Sequence, residues 1–207
     1  MNGPVVIIHG NPNPRRIGDV PAGNYTEFLD DGTIILHGTA RVTKRLWIPA
    51  NAVSAIGAIA ATKTLNGNGY IVYSFADNVD RNVQADIILP DDLDRSADCV
   101  LCMGWSSPAT SKVAVIDMTY LITAPDDLTD QAGTADTGNL LDSSSTADGL
   151  VLSEVVTIAG GTIAADEICL HLQIERDGNN GADTLGDILE LHGIALKYVA
   201  NRLGEDL

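Results

Sequence analysis

The chain has 207 residues, of which 45% are apolar, and a formal net charge of −16. That length suits one domain with an appendage or two small ones, and the apolar content excludes wholesale disorder. The acidity argues against nucleic-acid binding through phosphates, and no apolar run approaches the length of a bilayer span.

Residues 1–23 contain Pro4, Pro12, Pro14 and Pro21 with Gly3, Gly10, Gly18 and Gly23. Proline at this density excludes helix and nearly excludes a regular central strand. The expectation is an extended N-terminal arm, interrupted by a short apolar run from Val5 to Ile8. The first eight residues lack both the basic leader and the long apolar stretch of a signal peptide, so folding in a cytoplasm is expected. Residues 24–50 predict a β-hairpin or anchor region, with strands at Tyr25–Leu29 and Thr33–His37 about an Asp31-Gly32 turn. Residues 1–63 hold six basic against four acidic side chains, +2, which leaves −18 for the remainder. Such a split suggests a docking surface at the start and a solvated face beyond it, or an acidic portion that serves only solubility. The Ala-rich stretch Val53–Leu65 fits a short helix or a strand equally well.

Residues 51–207 predict a β-sandwich domain. Strand-like runs follow at Tyr70–Phe75, Gln84–Leu89, Cys99–Trp105, Lys112–Ile122, Val151–Ile158, Glu167–Glu175 and Asp187–Val199. Between Glu167 and Glu175 the alternation places Ile168, Leu170, Leu172 and Ile174 on one face and Cys169, His171, Gln173 and Glu175 on the other. Ile194 and Leu196 of the next strand should pack near the apolar face. Six or seven such strands without convincing helices imply an all-β, antiparallel sandwich. Pro125–Gly149 is rich in Asp, Ser, Thr and Gly, with little to bury, and reads as a long exposed loop.

Candidates for chemistry are sparse. Cys99 and Cys102 lie three apart in a strand, hence on opposite faces, and read as buried free thiols. Asp177–Asp183 resembles a calcium loop superficially, but the ligand pattern fails at Gly181 and Ile188. It reads as a hairpin connection with Gly and Asn at positive φ. His171 and His192 fall in consecutive strands, where they are expected as surface neighbours without a third metal ligand. Ser106 and Ser107 lack the Gly-x-Ser-x-Gly elbow of a strained nucleophile turn. With 28 acids, no pair stands out as a glycanase pair. No catalytic residue, cofactor or metal is expected.

Two stretches carry a family resemblance. Gly23-Asn24-Tyr25-Thr26-Glu27-Phe28-Leu29-Asp30-Asp31-Gly32-Thr33, running into Gly38-Thr39-Ala40 with Trp47 beyond, resembles an opening found in structural proteins of tailed bacteriophages. Ile174-Glu175-Arg176-Asp177, Ala182-Asp183-Thr184-Leu185 and Leu191-His192-Gly193-Ile194-Ala195-Leu196 resemble the closing hairpin of phage-encoded β-sandwich domains. The resemblance implies a jelly-roll-like sandwich and a non-enzymatic virion component assembled in the host cytoplasm. Within that class the expectation is a capsid decoration, or cement, protein and a homotrimer, with the major capsid protein or other virion chains as partners. A head or tail fibre contacting the host surface is the alternative, followed by a carbohydrate-processing or carbohydrate-binding module on a tail. The expected partner-binding residues are Arg15, Arg16, Tyr25, Phe28, Arg41, Lys44, Arg45 and Trp47. No membrane or nucleic acid is expected as partner.

Overall fold

The computed structural model describes residues 15–55, 57–127 and 132–203. Fourteen strands follow in order: β1 (Arg15–Asp19), β2 (Asn24–Phe28), β3 (Ile34–Leu36), β4 (Val42–Pro49), β5 (Thr62–Leu65), β6 (Ile71–Phe75) and β7 (Arg81–Ile88), then β8 (Cys99–Ser106), β9 (Val113–Thr123), β10 (Thr134–Asp142), β11 (Val151–Ile158), β12 (Cys169–Arg176), β13 (Leu189–Ala200) and β14 (Arg202–Leu203). Short 3-10 turns at Gly38–Ala40 and Ala50–Ala52 flank β4.

Two sheets form the sandwich. The narrow sheet has the order β10-β9-β12-β7, and the wide sheet runs β11-β8-β13-β6-β5. Strand β4 joins the wide sheet along the second half of β13, beyond the point where β6 leaves it. All pairings between these strands are antiparallel. The chain crosses between sheets at β6–β7, β7–β8, β8–β9, β10–β11, β11–β12 and β12–β13, which makes the sandwich jelly-roll-like. Crossing in this way brings the apolar stripes of successive strands to face one another.

The core lies between the sheets. Trp105, Phe75, Leu101, Met103, Ile116, Met118, Leu170 and Ile174 are fully buried. The Trp105 indole donates to Ser153 Oγ at 3.0 Å, so the largest core side chain keeps its polar atom partnered. The period-2 pattern of β12 is realised: Leu170, Leu172 and Ile174 point inward, as do Ile194 and Leu196 of β13. Ile168 does not share that face. It lies one residue before the strand and is 48% exposed, although its carbonyl and amide continue the ladder to Leu89 and Thr123.

The inward row of β12 ends on a charge. Arg176 is wholly buried. It reaches Asp183 with Nε to Oδ2 at 2.9 Å and Nη2 to Oδ1 at 3.0 Å. Its Nη1 donates to the carbonyls of Phe75, Ala76 and Asp187, and Nη2 also meets Asp77 at 3.3 Å. Asp183 accepts in turn from the amides of Val115 and Leu185. Residues 177–188 are therefore the seat of a buried bidentate ion pair, and they cross from one sheet to the other. They are not a hairpin. Nor do Gly178, Asn179, Asn180 or Gly181 adopt positive φ; in this connection Gly186 does, at +60°.

Further expectations are revised by the fold. The stretch after Pro125 is not all loop, because Thr134–Asp142 forms edge strand β10 and buries Leu141. Its polar composition hid it, since an edge strand needs few inward apolar side chains. Val53–Leu65 resolves into a covering segment, bridged to β7 at Ser54 and Ala60, followed by β5. The region 24–50 does not end at a domain boundary, because β4 belongs to the wide sheet. Residues 15–19 of the arm fold back as edge strand β1 on β2; residues 1–14 lie outside the described residues.

Candidate functional site

Strands β1, β2, β3 and β14 make a separate small sheet in the order β1-β2-β3-β14. Its hairpin is set by the Asp31-Gly32 turn. Gly32 sits at φ +92°, and Asp31 Oδ1 accepts from the Thr33 amide at 2.7 Å. Those bonds to Thr33 hold the Asp31 carboxyl below its ordinary range. Among the described residues, none from this sheet belongs to the buried cluster between the large sheets. Leu36 is its buried apolar side chain, all five residues of β1 are exposed, and Ile17 is 46% exposed.

A polar cluster orders its surface. Glu27 is buried and binds Arg16 through Oε1 at 2.8 Å and His37 Nε2 through Oε2 at 3.0 Å. Burial alone would raise the Glu27 carboxyl, but the hydrogen bonds from Arg16 and His37 outweigh it and leave it below its ordinary value. Tyr25 stacks on His37 with ring centroids 4.1 Å apart, and the Arg16 guanidinium lies 5.1 Å from the Tyr25 ring. Phe28 is half-buried at the end of β2, across from Arg15, which is exposed.

The remaining expected residues sit on or beside β4: within the strand, alternation sets Lys44 apart from Arg45 and Trp47, and Arg41 lies one residue before it. Arg41 pairs with the buried Asp94 at 2.6 Å and Lys44 pairs with Asp92. Asp92 also accepts from Tyr198 Oη at 3.1 Å, and burial together with the Asp92 charge pushes that phenol up to about 12. Arg41 and Lys44 therefore clasp β4 to the Asp91–Asp94 loop inside the chain. Nothing in the spacing of Asp91-Asp92-Leu93-Asp94 signals this role, since its partners lie about 50 and 100 residues away along the chain.

Arg45 and Trp47 face the other way, on the outer surface of the wide sheet. Arg45 lies across from Lys197, whose Nζ meets Glu154 at 2.5 Å. Trp47 is 44% exposed and lies flat on backbone. A Cβ added at Gly104 would come within 2.4 Å of the indole, and one at Gly193 within 2.5 Å. The two glycines pair across β8 and β13 and form a floor that only hydrogen side chains permit. One indole face is thus seated while the other is open, with Leu152 of β11 exposed across from Gly104. The sequence singled out Trp47; the glycine seat becomes visible only once β4, β13 and β8 are neighbours.

His171 and His192 are not neighbours. They lie on different sheets because β12 and β13 belong to different sheets. His192 Nε2 contacts Ser106 Oγ at 2.9 Å, and burial lowers the imidazole's basicity. His171 is held by Asp86 and Thr123. Among the described residues no group of three or more His, Cys, Asp or Glu side chains could hold a metal ion. Cys99 faces the core and Cys102 the outer surface; both are buried, and burial pushes the Cys99 thiol up to about 11.

No family model matches the chain, and no curated protein matches it. Among solved structures it is similar to a family 35 carbohydrate binding module from Clostridium thermocellum. That likeness has 9% identity and TM-score 0.46, over 74% of this chain and 97% of that one. It is similar also to the xylan-binding module CBM15, at 18% identity and TM-score 0.41 over 76% and 97% of the two chains. A third is Arthrobacter globiformis T6 isomalto-dextranase complexed with panose, at 13% identity and TM-score 0.43 over 84% of this chain and 36% of that one. At such identities these are likenesses of outline, and none of those proteins' ligands passes to this chain by that route.

Proposed function

We propose that this chain is a non-enzymatic structural component of a bacteriophage virion, a capsid decoration protein that acts as a homotrimer and docks through residues 15–50. One observation carries the docking half of the proposal. Among the described residues, the small sheet is a single layer with one buried apolar side chain, Leu36, and a sheet of that kind needs a second layer to be stable. Its exposed strand β1 and exposed Ile17 and Val20 offer main-chain hydrogen bonds and apolar area to another chain. The open face of Trp47, with Arg45 at its margin, extends the same surface onto the sandwich. Arg15 and Arg45 remain as docking cations, whereas Arg41 and Lys44 hold the anchor together. The virion half rests on the opening and closing sequence resemblances. The fibre reading uses the same sandwich and differs in where on the particle the chain is found.

The test is co-sedimentation with particles that lack the protein. Full-length chain should bind at saturable occupancy and run as a trimer by native mass measurement. A variant lacking residues 1–23 should stay folded, because β1 contacts β2 and not the sandwich core, yet fail to bind. Undiminished decoration by that variant would remove the anchor assignment, and tail-restricted labelling would favour the fibre reading.

A further inference from the structure

The outer face of the narrow sheet carries a cavity of about 300 Å³ that the docking surface does not use. The strand register builds it in two rows. Gln84 of β7 lies across from Gln173 of β12, which lies across from Thr119 of β9. In the next row Asp86 lies across from His171, and His171 from Leu121. Gly133, just before β10, closes one side and packs so tightly on Thr119 and Tyr120 that a Cβ there would clash at 2.7 Å.

The chemistry of this face narrows what it can bind. The His171 ring is fixed at both nitrogens, Nδ1 to Asp86 Oδ1 at 2.7 Å and Nε2 to Thr123 Oγ1 at 3.1 Å. It therefore offers a ligand its flat faces and C–H edge, while Asp86 retains a second oxygen as acceptor. Gln84, Gln173 and Thr119 each supply both a donor and an acceptor without charge. No lysine or arginine lines the cavity, which disfavours phosphate, sulfate or nucleic acid. Among the described residues, strands β9 and β12 are paired on both sides and Gln84 of edge strand β7 is bridged to Ser54, so the middle of the cavity has no free backbone edge for an added peptide strand. A row of neutral donor–acceptor groups beside a flat ring and Leu121 complements a ligand that alternates hydroxyls with C–H faces. The volume lies at the lower end for small-ligand pockets, room for a mono- or disaccharide.

We infer that this groove is a saccharide-binding site for neutral sugars, built by Gln84, Asp86, Thr119, His171 and Gln173. It is independent of the docking proposal, since it occupies the opposite sheet. With Tyr120 and one imidazole as the rings in its lining and no indole, affinity is weak, with a dissociation constant on the order of 1 mM.

Saturation-transfer difference NMR on the full chain tests it, with the methyl glycosides of glucose, galactose, xylose and N-acetylglucosamine as probes and glucose 6-phosphate as the anionic control. At least one neutral glycoside should give a saturable signal. Gln173→Ala and Gln84→Ala should each weaken it about tenfold, with unchanged circular dichroism. Trp47→Ala should leave it unaltered. Both glutamine positions are at least partly exposed, so folding is preserved; Gln173→Glu serves as a second probe of the same contact. The inference is overturned if no glycoside saturates, if Trp47→Ala removes the signal while Gln173→Ala does not, or if the phosphorylated sugar binds more tightly than the neutral ones.

Discussion

Replacing Asp183 should cost this fold more than any surface change, and the size of the loss follows from its contacts. Arg176 is wholly buried, and two of its bonds end on Asp183. Removing one partner of a buried pair leaves an uncompensated charge, a loss of about 3–5 kcal/mol. Asp183→Ala also strips the amides of Val115 and Leu185 of their acceptor, which places it at the upper end of that range. Asp183→Asn keeps one acceptor oxygen and belongs at the lower end. Equilibrium unfolding in urea at one fixed protomer concentration reads the difference. The corresponding fall in Tm is roughly 6–20 °C for a chain of this size. The double variant Arg176→Met with Asp183→Leu should recover much of the loss, because it removes both charges together. A pH series adds an independent readout. Burial raises the Asp183 carboxyl, but its bonds from Arg176 and the two amides leave it below its ordinary value. A carboxyl depressed in the folded state contributes stability that is full above the unfolded value of about 3.9 and is lost as pH falls through the lower folded value. Asp183→Asn should therefore flatten the acid limb of the stability curve. A cost below about 1 kcal/mol for Asp183→Ala would refute the account of Arg176 as a charge that depends on this partner.

Further outcomes follow from the same geometry. Leu172→Ala removes a side chain that is 3% exposed, so urea titration should show a loss of about 2–5 kcal/mol. Gly104→Ala should unseat the Trp47 indole, which lies 2.4 Å from the added Cβ, and fluorescence with acrylamide quenching should report a more accessible ring at little cost in Tm. Trp105 is the chain's other tryptophan and is fully buried, so the change in quenching belongs to Trp47. Cys99 and Cys102 should resist a thiol reagent at pH 8 until the protein is unfolded, since both are buried with raised thiol pKa values; rapid native labelling at either would contradict the packing. Glu27→Gln should loosen the small sheet without unfolding the sandwich, seen as faster amide exchange confined to β1–β3.

The sequence alone determined the class of fold and much of its inner face. Alternation in 167–175, frequent turns and scarce helical periodicity specify paired strands with a buried side, because side-chain direction in a strand is a local property. The Asp31-Gly32 hairpin and the separation of Cys99 from Cys102 were legible for the same reason. What only the tertiary structure decided depends on which strands become neighbours. The pairing of β4 with β13 set Lys44 toward Asp92, left Arg45 and Trp47 on the other face, and supplied Gly104 and Gly193 as the indole's seat, while Arg41, just before the strand, reached Asp94. The crossing between β12 and β13 parted His171 from His192 and brought Arg176 onto Asp183, with the Phe75 carbonyl about 100 residues away in sequence closing the cage. A strand's parity is written in its own residues. Its partner is selected by burial of the whole sandwich, and no local pattern encodes it.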